Sequence, residues 1–87
     1  MHEQALMNDV VRQIERVGRA GSATRVTRVV VRLGALSHFT PEHFREHFAD
    51  AARNTIAEGA IVDAWVEPDL ADPRADGVVL ESIEVES

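Results

Sequence analysis

The chain predicts an α+β fold, with two helices packed on one face of a three-stranded mixed sheet in the order α-β-α-β-β. Three observations carry this expectation. Residues 4–20 and 40–54 repeat apolar side chains every three or four positions, the period of a helix with one buried face. Residues 25–33, 60–67 and 78–86 are rich in β-branched residues or alternate in polarity, as strands do. The first two strands flank a helix, which predicts a right-handed crossover and parallel pairing. With 87 residues, the chain is one small domain spanning 1–87.

In the first helix, Leu6, Val10, Ile14 and Val17 form the apolar stripe, widened by Met7 and Val11. Gly18 and Gly21 are read as its stop. In the first strand, RVTRVVVRL, Val29, Val31 and Leu33 share one face, with Arg28, Val30 and Arg32 on the other. Thr40 is a good N-cap for the second helix, Pro41 suits its first position and Glu42 suits the positive end of the dipole. Phe44, Phe48, Ala51 and Ala52 make the buried stripe of that helix.

The second strand, AIVDAWVE, turns Val62, Ala64 and Val66 one way and Trp65 the other, at a sheet edge. Residues 68–77 read PDLADPRADG, with two Pro, one Gly and four Asp, the composition of a loop. The closing strand, VVLESIEVE, places Ile83 and Val85 on its buried face, with a bulge before Ser82. The last two strands are expected to form an antiparallel pair.

Composition narrows the function. Fifteen acidic residues against nine Lys+Arg give a net charge of −6. That argues against nucleic acid or an anionic membrane as partner. The absence of cysteine excludes disulfides, Cys-ligated zinc and iron–sulfur clusters. No apolar run approaches the roughly 20 residues of a membrane span. No basic leader followed by an apolar stretch is visible, so the expected location is the cytoplasm.

No serine or threonine has a patterned histidine or acid beside it, and no glycine-rich phosphate loop is present. The four histidines His2, His38, His43 and His47 are the chemically interesting set. His43 and His47 are four apart on the second helix and share a face. That spacing can hold a metal, with Glu46 and Asp50 near enough to help. Without an accompanying Glu-x-x-His pattern the plainer reading is preferred: a half-exposed helix edge beside Phe44 and Phe48.

His2 and Glu3 precede a helix. An α-amine, backbone nitrogens and an imidazole can gather around one cation, and nitrogen-rich square-planar sets favour Ni(II) or Cu(II). On the residues alone the plainer reading holds here too. Glu3 complements the helix dipole, and His2 belongs to an ordinary chain terminus.

A resemblance changes that weighting. MHEQAL before a helix, then TRVTRVVVRLGALS, PEHF, NTIAEGA and a closing SIEVE resemble the HypA/HybF family of nickel metallochaperones for hydrogenase and sometimes urease maturation. The likeness runs from Met1 to Glu86 in order. It implies a carrier of nickel and not an enzyme. The implied site is Met1 (amine or backbone), His2 (imidazole) and Glu3 (backbone or carboxylate), and the implied partners are hydrogenase or urease maturation proteins and the recipient enzyme.

The family inserts a zinc domain with two Cys-x-x-Cys motifs between its last two strands. Here the loop 68–77 stands in that place without cysteine, so no zinc is expected. Some relatives carry an acid where Thr40 stands, and His38 is the nearest candidate for an extra ligand. The alternative is a metal-free interaction module of the same fold, binding a partner or forming a homo-oligomer through a sheet edge near Ile61 and Trp65. An enzyme built on His43 and His47 is disfavoured, because a two-layer fold this small rarely supplies a concave polar pocket.

Overall fold

The computed structural model describes residues 3–87. Five elements follow in the expected order: α1 (Glu3–Ala20), β1 (Arg25–Leu33), α2 (Pro41–Ala51), β2 (Ile61–Val66) and β3 (Val78–Glu86). The sheet order is β2-β1-β3. β1 runs parallel to β2, with Val29 opposite Val62, and antiparallel to β3, with Val29 opposite Ile83.

The expected pairing of the last two strands needs correction. β3 runs opposite to β2 in direction, but it pairs with β1 and leaves β2 at the far edge. The loop 67–77 carries the chain across the end of β1. Its Gly77 and Ala75 carbonyls accept from the Gly34 and Leu36 amides at 2.9 and 2.7 Å. The physical reason lies in β1. It is the most buried strand, with Val26, Val29, Val31 and Leu33 all enclosed, and a central position pairs both of its edges and buries one whole face.

Two bulges decide which residues face the helices. The register shifts at Thr27, between Val26 and Arg28, so Val26 and Val29 are both buried although they stand three positions apart. A second shift leaves Glu81 unpaired between Leu80 and Ser82. This is the bulge expected before Ser82, and it turns Val78, Leu80 and Ile83 toward the core. Val85, expected on the buried face, is exposed at the end of the edge strand, beyond the core cluster.

The core lies between the sheet and the two helices. Phe44, Phe48, Met7, Ile14, Leu33 and Val29 are its largest fully buried side chains, each contributing about 1.5–3 kcal/mol by burial. Phe44 and Phe48 stack at 6.0 Å, and Phe39, from the connection before α2, meets Phe44 edge-on at 5.6 Å. In α1 the buried stripe is Met7, Val10, Val11, Ile14 and Gly18. Val17, expected on that stripe, is 48% exposed.

Gly18 does not stop α1; it lets the helix approach its neighbours. A Cβ there would come within 3.0 Å of the Ile56 Cδ1. The stop comes at Ser22, in the left-handed region with φ 61. The Ala23 and Ser22 amides donate to the Gly18 and Arg19 carbonyls, a Schellman closure. No helix among the described residues is long and apolar enough to cross a membrane.

Candidate metal centre

α2 begins where its sequence asks. Thr40 is extended, and its hydroxyl accepts from the His43 amide at 3.1 Å. This cap satisfies one of the free donors of the first turn, and Pro41 gives up no hydrogen bond there. The hydroxyl is therefore occupied in capping.

The cap sets His43 and His47 one turn apart on the side of α2 that meets the first turn of α1. There the Glu3 carboxylate lies 3.6 Å from Nε2 of His43 and 3.6 Å from Nε2 of His47. The two imidazoles meet edge to face at 4.5 Å, and Phe39 packs against His43 at 5.5 Å. One donor atom from each of Glu3, His43 and His47 falls within 4.8 Å of the others.

The half-exposed helix edge expected for the two histidines is correct as to exposure, with 36% of each side chain accessible. The convergence on Glu3 was missed. An acid in one first turn and an i,i+4 histidine pair near another were the only signals available, and packing alone brings them together. Glu46 is exposed and outside the cluster. Asp50 pairs with Arg53 at 2.8 Å.

The other side of Glu3 opens on a shallow cavity shared with Leu6, Leu36, Ser37, His38, Phe39 and Asp76. His38 has φ 67, in the left-handed region. It borders the cavity but is not among the converging donors. Asp76, which comes from the loop, was not foreseen at this place. The Ser37 hydroxyl accepts from the Phe39 amide at 3.3 Å, the geometry of a turn and not of a nucleophile. Met1 and His2 lie outside the described residues.

A second polar cluster ties the loop to the sheet. Arg32 pairs with Asp72 and with Glu81, the latter at 2.8 Å. Asp72 also accepts from the Arg74 amide at 2.8 Å. That backbone bond first, opposed by burial and joined by Arg32, holds the Asp72 carboxyl below its usual range. The Arg32 guanidinium is shifted upward, chiefly by its bond to Glu81. These groups hold the loop in place and leave the Glu3 cluster as the convergent set of metal-type donors among the described residues.

Fold and donor chemistry together describe a small two-layer α+β domain with nitrogen and oxygen donors gathered at one helix end. The family model described as hydrogenase/urease nickel incorporation, metallochaperone, hypA matches residues 1–72, and the chain belongs to that family. By its name the family is one of metallochaperones.

The chain is 41% identical over 71 residues to hydrogenase maturation factor HypA 1 of Bradyrhizobium diazoefficiens, covering 82% of this chain and 63% of that protein. It is 37% identical over 67 residues to hydrogenase maturation factor HypA of Archaeoglobus fulgidus, covering 77% of this chain and 61% of that protein. The matched region thus spans less than two thirds of these relatives. The solution structure of the Ni metallochaperone HypA from Helicobacter pylori superposes with a TM-score of 0.81 at 19% identity, covering 100% of this chain and 99% of that one. At that identity the likeness establishes the fold.

Proposed function

We propose that the chain binds Ni(II) through Met1, His2 and Glu3 and delivers it for hydrogenase or urease maturation. The observation that supports this most is the family match over residues 1–72, which includes Met-His-Glu. The His2 imidazole, the Met1 amine or backbone, and the Glu3 backbone or carboxylate supply a nitrogen-rich set suited to Ni(II). α1 begins at Glu3, so the cation meets the positive end of a helix dipole, at a cost of about 0.3–1 kcal/mol. Glu3 and any deprotonated amide offset that cost. Exposed, moderate binding suits a carrier that must release its cargo.

In this reading residues 1–87 form one nickel-binding-type domain, with the loop 68–77 in place of a zinc domain. The protein acts in the cytoplasm, and its partners are maturation proteins and the recipient enzyme. Calorimetry of Ni(II) binding to wild type and His2→Ala tests the site; unchanged affinity and stoichiometry in the variant overturn it. A one-residue N-terminal extension is expected to weaken binding as well.

A second reading has its own observation. Trp65 and Ile61 are 44% and 55% exposed on the edge strand β2, a surface fit for a metal-free interaction module. Native mass spectrometry with and without Ni(II) separates the two: a metal-independent oligomer without bound nickel favours the module.

A further inference from the structure

We propose that the Glu3 carboxylate and the imidazoles of His43 and His47 form a second cation site, distinct from the Met1, His2 and Glu3 set. It takes a borderline divalent ion of tetrahedral or octahedral preference, such as Zn(II). The inference stands on side-chain geometry and does not depend on nickel binding at the terminus.

Donor spacing is the first argument. Zinc holds imidazole nitrogen at about 2.0–2.1 Å and carboxylate oxygen at about 2.0–2.2 Å, so two donors at a tetrahedral angle stand roughly 3.4 Å apart. Here each Glu3 to histidine separation is 3.6 Å, and all three donors lie within 4.8 Å. A few tenths of an ångström closes the first two distances. Rotation of the partly exposed rings closes the third.

Donor chemistry is the second argument. Two imidazoles and one carboxylate suit Zn(II), and three protein donors leave a coordination position open to water or a partner's ligand. Support around the donors is the third. The Thr40 cap fixes the first turn of α2, and Phe39 packs on the His43 ring, so His43 is supported before an ion arrives and the partly exposed His47 ring makes the adjustment.

The two sites divide Glu3 between them. The cluster draws on its carboxylate, and its backbone nitrogen remains available to the terminal set. They also differ in metal preference. Square-planar amide ligation favours Ni(II) and Cu(II), whereas Zn(II) has no such preference. Zinc therefore reports the side-chain cluster, whereas Ni(II) has donors it can use in both sets.

The test is calorimetric titration of the full, untagged chain with Zn(II), with circular dichroism to verify folding. Wild type is expected to bind one Zn(II). The double variant His43→Gln/His47→Gln is expected to lose more than about 100-fold in affinity, beyond the roughly 10–100-fold typical of a lost supporting partner. Glu3→Gln, which keeps the backbone amide, is expected to lose at least about tenfold. His2→Ala is expected to bind Zn(II) as wild type does. A wild type that binds no Zn(II), a double variant that binds it unchanged, or loss of zinc in His2→Ala each overturns the proposal. Failure of His2→Ala to affect Ni(II) bears on the terminal site alone.

Discussion

A Cβ placed on Gly34 would sit 2.2 Å from the Ala75 carbonyl oxygen. The loop that joins β2 to β3 is therefore docked directly on the backbone at the end of β1. Ala75 is buried there, and the Leu36 amide donates to its carbonyl at 2.7 Å. This contact joins the loop to the connection that leads to Phe39, Thr40 and the histidines of α2.

Gly34→Ala is expected to destabilise the protein by about 3 kcal/mol, because backbone atoms and not a flexible side chain would have to move. Gly77→Ala is the control. The nearest atom to a Cβ there is the Arg74 carbonyl at 3.9 Å, and the expected change is within about 0.5 kcal/mol. Urea denaturation followed by circular dichroism measures both, and equal effects would refute the role given to the close approach.

Thr40→Ala removes the acceptor of the His43 amide and is expected to cost about 1 kcal/mol. Thr40→Ser keeps the hydroxyl and is expected to restore most of that stability. The same denaturation experiment decides the matter: a serine variant as unstable as the alanine one would show that the methyl group matters and the cap does not.

Asp72 supplies a pH dependence whose sign is set by its lowered pKa. Its ordinary value is 3.8, and the folded value lies below it. The folded state thus binds the proton less readily than the unfolded chain. The stabilisation is present in full above the unfolded value and is lost as pH falls through the folded one. Wild type is expected to exceed Asp72→Asn in urea midpoint at pH 7, with the gap narrowing toward pH 3. A gap that is constant with pH would assign the effect of the substitution to packing or turn geometry.

Much of the architecture was legible because it rests on local rules. The β-branched run of β1, the Thr40-Pro41 start of α2 and the proline- and aspartate-rich loop each declare themselves within a few residues. Val17 and Gly18 were misjudged for one reason. Periodicity finds a stripe but does not say which neighbour it meets, and Ile56 needed a position without a side chain. The partner of β3 was misjudged because local patterning carries the direction of a strand but not its neighbour. Of the candidate site, the set of Met1, His2 and Glu3 is a proposal that rests on the likeness to a family. The convergence of Glu3 with His43 and His47 was not legible at all.

The sequence by itself determined the element order, the faces of β1, the cap of α2, the absence of cysteine ligands and the family. Each of these depends on residue types at short spacing or on resemblance along the chain. Tertiary structure alone decided that β1 is central, that Gly34 admits the loop and that Glu3 faces two imidazoles. These are encounters between residues as far apart in the chain as Arg25 and Glu86, and which side chains meet is settled when the helices dock on the sheet and bury one shared core.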